Sequence, residues 1–264
     1  MRLNYLVCVA LCAFLVGCDQ ATLMKKLTRP EDESAARNYV ELLRQRELDQ
    51  IESDLDPSLR STDARDQLAG MATFLPHDAP RSIKVVGAKT FSNPGYSTAD
   101  ITLEYEFQDK WLLANVVTKK TGLDSTLIGF HVTPIPDSLE NLNRFTLVGK
   151  SGVQYFVLIL ALCFFAFSLY ALVLCIQTKN LRAKWAWMLV VLVGVGKVGI
   201  NWSTGDWNFM LFAVQLPCAG ANAEFYGPWI VGAYLPLGAI IFLNHRWKMK
   251  ITGELIESPV THHV

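Results

Sequence analysis

The 264-residue chain has no net charge, its 24 basic side chains being matched by 24 acidic ones. Nothing in it builds a basic surface that could release counterions from phosphates, so nucleic acid is not an expected partner. A disulfide framework is also missing. Of six cysteines, Cys8, Cys12 and Cys18 lie in or at the end of the first apolar run, Cys163 and Cys175 lie in a second, and Cys218 stands alone. That distribution leaves no Cys-based metal site either. Gly-x-Ser-x-Gly, a phosphate loop and His-Glu-x-x-His are absent, and no nucleophile-and-base pair replaces them. The chain therefore reads as a non-enzyme, with no cofactor and no metal. The most telling shortage is of charge in the C-terminal part. Residues 153–243 hold only Lys179, Arg182, Lys184, Lys197, Asp206 and Glu224, whereas residues 19–150 carry 36 of the 48 charged side chains. The first stretch can fold in water and the second cannot, which excludes an ordinary cytoplasmic protein.

Arg2 precedes an apolar run from Leu3 to Gly17. It is too short for a spanning helix, which needs about 20 residues, and its positive start and small-residue end describe an export signal over residues 1–17. The sequence Leu15-Val16-Gly17-Cys18 resembles the lipobox of bacterial lipoproteins. The resemblance implies cleavage before Cys18, acyl chains on its thiol and amine, and membrane lipid as a partner. It further implies that Asp19, directly after the lipidated cysteine, sorts the protein to the inner membrane. Residues 18–29 then form a lipid-anchored linker.

Residues 30–136 are expected to fold as an exported α+β domain. Thr28 to Glu31 has capping-box spacing, with Pro30 in the first turn. Tyr39, Leu42, Leu43 and Ile51 form a helical stripe that Asp56-Pro57 ends. Leu68, Met71, Ala72 and Leu75 mark a second helix. The period then becomes two. Ile101, Leu103, Tyr105 and Phe107 alternate with Asp100, Thr102, Glu104 and Glu106, the pattern of a strand with one wet face. Strands over 83–91, 110–120 and 127–132 complete two helices followed by a four-stranded antiparallel meander. This element order resembles the NTF2-like and cystatin-like folds, which implies a cavity between helix and sheet but selects no function. His77, in a Pro-rich loop, and His131, opposite in alternation to Ile128, Phe130 and Val132, read as solvated. Asp100, Glu104 and Glu106 read as cross-strand partners of Lys84, Lys89, Lys119 and Lys120 rather than as a catalytic cluster.

After a linker over 137–151, residues 152–250 read as a unit of three transmembrane helices, at about 153–176, 185–202 and 228–243. Trp207 to Leu216 is expected to lie in the interface or to re-enter, and Pro236 to kink the third helix. Lysine and arginine gather at 177–184 and at 246–250, while 203–227 has none. The positive-inside rule then places 19–150 in the periplasm and the C-terminal tail, 251–264, in the cytoplasm. Lys197 lies within the second apolar run, where an ionisable group costs a few kcal/mol. Asn201, four residues on, shares its face, and Asp206 is a possible counter-ion. Lys197, Asn201 and Asp206 thus form a candidate membrane polar site, set against a plain structural clamp assisted by Gly194, Gly196 and Gly199.

Three functions remain open on the sequence. The first is an inner-membrane lipoprotein whose membrane-proximal domain binds another envelope protein or a lipid or peptide ligand. The second is a membrane protein handling small molecules or lipids through Lys197 and Asn201. The third is an enzyme with a carboxylate in the cavity of the exported domain.

Overall fold

The protein is described from a computed structural model covering residues 20–122, 124–179 and 181–251. Cys18 and Asp19 lie outside the described residues. The chain divides into two units, one comprising residues up to 142 with Phe225–Gly227, the other Asn143–Glu224 with the remainder.

The first unit begins with α1 (Gln20–Leu27), which packs along β1 where a linker was expected. The Thr28 hydroxyl donates to the Met24 carbonyl at 2.8 Å and closes α1. It is therefore not free to cap α2 (Pro30–Gln45), whose N-cap is Arg29 without a side-chain bond. Pro30 at the first position and Glu31, Asp32 and Glu33 against the helix's positive end start α2 instead. Arg46 adopts a left-handed backbone (φ 64°) and separates α2 from α3 (Leu48–Asp54), so the single expected helix is two. A 3-10 turn at Pro57–Leu59 and α4 (Ala64–Ala72) follow.

Strands β1 (Ser82–Asn93), β2 (Tyr96–Glu106), β3 (Trp111–Thr121) and β4 (Asp124–Ile135) form an antiparallel meander in sequence order. Ile101, Leu103, Tyr105, Leu112, Ala114 and Val116 pack against Tyr39, Val40, Leu43 and Leu68 from the helices. The expected α+β architecture is thus present.

Tyr39 ties this core to its rim. Its hydroxyl donates to Asp54 Oδ2 at 3.2 Å. Burial, reinforced by the Asp54 charge and that bond, pushes its pKa up to about 12. Between pH 10 and 12 the unfolded chain releases this proton and the folded chain keeps it, so stability falls as pH rises through that window. The loss is on the order of 2 kcal/mol. Tyr39→Phe should flatten the alkaline limb of the unfolding profile, followed by far-UV circular dichroism between pH 9 and 12. An unchanged limb would contradict the assignment.

A single helical turn at Leu139–Leu142 ends the first unit, and α5 (Gly152–Gln177) is the first long helix of the second. A reciprocal capping box starts it: Ser151 N–H donates to Gln154 Oε1 at 2.7 Å, and Gln154 N–H donates to Ser151 Oγ at 3.3 Å. Twenty-six residues rise about 39 Å at 1.5 Å each. Next come α6 (Lys184–Val190), β5 (Gly194–Asn201), β6 (Trp207–Gln215), β7 (Ala219–Asn222), β8 (Ile230–Leu235) and α7 (Leu237–Ile251). The strands make an antiparallel sheet in the order β6-β5-β8-β7.

The expectation of three transmembrane helices is not met. Among the described residues only α5 is long and apolar enough to cross a membrane. The second expected helix is one short helix followed by β5. The third is β8 followed by α7. Gly196 (φ 69°) sits in a β-bulge at the break in register between Val195 and Lys197. Val191, Val193, Val195, Val198 and Ile200 favour extended backbone. Pro236 kinks nothing; its carbonyl accepts from Ile240 N–H at 3.1 Å as α7 begins. The segment Trp207 to Leu216, expected at the interface or re-entrant, forms the edge strand β6 over Trp207–Gln215.

Val157 and Ala161 of α5 pack on Ile200, Trp202, Val231 and Ala233 of the sheet. Farther along, Ala171 and Cys175 pack on Val191, Ala239 and Phe242. The buried positions of α5 are Gln154, Val157, Ala161, Ser168, Ala171 and Cys175, a seam of mainly small or polar residues. Phe156, Ile159, Leu162 and Tyr170 are exposed, whereas Leu158, Leu160, Phe164, Phe167, Leu172 and Leu174 are half-buried against the two clusters.

Candidate functional site

In the first unit, a half-open cleft of about 240 Å³ runs between α3, α4 and β4. Its wall is Leu55, Leu59, Leu68, Met71, Ile128 and Phe130, with small residues Ala64 and Gly129. Gln67 is the one polar side chain, and no titratable group lines it. Consecutive residues 128–130 reach the cleft because β4 is irregular at Ile128, which has no register partner on β3. Val132 faces the helices, and His131 alternates with it and is exposed. His77 is exposed too, and its carbonyl accepts from Arg44.

The carboxylates of β2 do not form a reactive cluster. Asp100 and Glu104 stand in register with Lys89 and Lys84, yet none of the expected ion pairs is made among the described residues. Asp100 accepts from Asn115 Nδ2 at 2.7 Å, and Glu106 accepts from the Ser82 hydroxyl at 2.8 Å. Glu104 is buried and accepts from the Leu139 N–H at 2.6 Å. It holds a backbone amide and does not face the cleft. Of the four lysines only Lys120 finds carboxylates, and these belong to α2: Asp32 at 2.9 Å and Glu31 at 3.7 Å. A second cleft is lined by Lys25, Glu33, Arg37, Ile83, Lys84, Val85 and Tyr226. Its carboxylate, Glu33, is held by Arg37 at 2.7 Å.

In the second unit the three expected polar residues separate. Asn201 and Asp206 build the β5–β6 turn. Asn201 Oδ1 accepts from the Ser203 and Thr204 amides at 2.9 and 3.1 Å, and Asp206 Oδ2 accepts from the Thr204 hydroxyl at 2.6 Å. Asn201 N–H donates to the Asp206 carbonyl at 2.7 Å, and Gly205 (φ 85°) makes the reversal. Lys197 lies up the strand. Four residues keep it on the face of Asn201, because four is also a multiple of the strand period. Its neighbours are Tyr234 and Met210 in register, and its Cε lies over Gly199 and Gly232. A Cβ on Gly199 would stand 2.8 Å from that Cε and 2.5 Å from Asn208 Oδ1. Lys197 has neither Asp206 nor Glu224 as an ion-pair partner. Sequence reasoning missed Asn208, Tyr234 and Gly232 as its neighbours. They come from other strands, and reading the segment as a helix left no cross-strand register to find them.

Among the described residues no cluster of His, Cys, Asp and Glu could hold a metal ion. No protein family, curated protein or solved structure matches the chain.

Proposed function

We propose that the chain is a membrane-anchored, non-enzymatic binding protein of the bacterial inner membrane. Its α+β unit is periplasmic and takes an apolar side chain of a partner envelope protein or peptide into the α3–α4–β4 cleft. The observation that carries this reading is the cleft wall: its side chains are apolar except for the Gln67 amide, and none of them could move a proton. About 240 Å³ is below the usual range for small-molecule sites, roughly 300–1,000 Å³. It suits a protruding side chain better than a whole cofactor. The reading as an enzyme with a cavity carboxylate finds no carboxylate lining this cleft.

Membrane anchorage rests on the surface of α5. The fully buried positions of α5 are mainly small or polar, while Phe156, Ile159, Leu162 and Tyr170 are left exposed on a helix long enough to span, as on lipid-solvated helices. Acylation at Cys18 adds a second anchor. The α+β unit is then kept near the bilayer, beside other membrane proteins.

A photo-crosslinking residue at Ile128 or Met71 in living cells should give an adduct with one envelope protein. Ala64→Trp, which fills the cleft, should reduce its yield at least tenfold. Equal yield from the exposed Ser125, or no loss in Ala64→Trp, would remove the reading.

A second reading, lipid handling on the β5–β8 face, is favoured by the Lys197 side chain, whose Cε lies over Gly199 and Gly232 near Asn208 and Tyr234 and which makes no ion pair among the described residues. If it holds, Lys197→Met should lose co-purifying anionic lipid, measured by mass spectrometry of protein extracted in mild detergent. Unchanged lipid content excludes it.

A further inference from the structure

Strand β6 is nine residues long, occupies one edge of its sheet, and contains no charged residue and no proline. Water-exposed edges are guarded by lysine, proline, a bulge or a covering element; β6 has no charge and no proline, and its irregularity is confined to 211–213 opposite Gly196. Trp207, Phe209, Met210, Leu211, Phe212 and Val214 are all exposed, Phe212 at 93%. The opposite edge, β7, has four residues and lies against α5.

We infer that β6 is the interface at which two copies of this chain pair, edge to edge and antiparallel, about a two-fold axis. The inference rests on membrane anchorage and adds an assembly to it. The sheet packs along the first half of α5, a helix long enough to span. Lipid can solvate the apolar side chains of β6 but cannot satisfy the amides and carbonyls of an open edge, so at that depth the edge must be covered by backbone. A second β6 supplies the missing donors and acceptors. Antiparallel pairing about a two-fold axis is self-complementary, and an uncharged strand opposes no like charges to itself. Scaled by their exposure, the six large side chains of β6 offer on the order of 600–800 Å² per copy, against roughly 800 Å² per partner in a standard interface, so backbone pairing carries the contact and the side chains add to it.

The test is a cysteine scan over residues 207–215 in the full chain in native membranes, with exposed Cys163 replaced by Ser. Oxidation should give a disulfide-linked dimer that peaks at one position and falls off on either side, with none from Ala221→Cys on the far edge. Residues 211–213 have no register partner on β5. Phe212→Pro therefore spares the β5 ladder and should cut dimer yield at least fivefold. No dimer at any position, a crosslink of different mass, or a dimer indifferent to Phe212→Pro overturns the pairing. Alkaline carbonate extraction keeps the two ideas apart. Protein retained in membranes without a dimer refutes pairing alone, while extracted protein refutes membrane anchorage whatever the crosslink shows.

Discussion

Gly238→Ala is expected to disrupt the second unit, although in an exposed helix the same change would add roughly 0.5–1 kcal/mol of stability. Gly238 is the second residue of α7, and a Cβ there would sit inside the van der Waals envelope of the Val190 carbonyl oxygen. The Val193 carbonyl oxygen is 3.4 Å from the same point, and it accepts the Gly238 N–H at 3.2 Å. The obstruction is backbone on both counts, so no rotamer relieves it. To admit the methyl, α7 must back away from the end of α6. That breaks the bond to Val193 and loosens the contact of Ala239 and Phe242 with Ala171, Cys175 and Val191. Overpacking of this kind costs about 1–3 kcal/mol even where side chains can yield; with rigid backbone opposite, the upper end or more is expected. Thermal unfolding in detergent micelles should show a fall in Tm of several degrees, together with a reduced level in membranes. Gly152→Ala at the start of α5 is the control, because nothing lies within 4 Å of its added methyl. Equal melting of the two variants would mean that α6 and α7 do not meet this closely.

The two units differ in how far their sequences disclose them, and the difference is physical. In β2 the alternation of Ile101, Leu103 and Tyr105 with Asp100, Thr102 and Glu104 encodes a strand with one buried face, and the strand is there. The alternation overstated the wetness of the other face. Glu104 is buried because the segment at Leu139 returns over it, a long-range event without a local signature. The cleft was equally illegible. Leu55, Leu68 and Ile128 line one wall from three distant parts of the chain. Between Val191 and Ile200 the residues facing α5 and those facing away are both mainly apolar. The period that separates helix from strand vanishes, and length alone favours a helix. The overlooked information lay in the three glycines at 194, 196 and 199, the β-branched residues between them, and the turn-forming string from Asn201 to Asp206.

Lys120→Met should be among the most costly substitutions in the α+β unit, even though its target is on the rim. Asp32 is 3% exposed at the third position of α2; its Oδ1 accepts from Lys120 Nζ at 2.9 Å and its Oδ2 has no hydrogen-bond partner. The hydrogen bond to Asp32 raises the pKa of Lys120, with Glu31 adding a smaller attraction, so the charged pair is the folded form until the pH exceeds the usual lysine range. Removing the ammonium strands a buried carboxylate. That typically costs about 3–5 kcal/mol when the pair is fully enclosed. Here the positive end of α2 still stabilises Asp32, and the lysine side chain is 31% exposed. The expected loss is therefore nearer 2–3 kcal/mol, or roughly 6–12 °C in Tm for a unit of this size. Replacing both partners, Asp32→Leu with Lys120→Met, removes the stranded charge and should recover most of that loss. The double mutant distinguishes a desolvated carboxylate from simple loss of packing by the lysine stem. If it melts no higher than Lys120→Met alone, the buried charge is not what makes the single change costly.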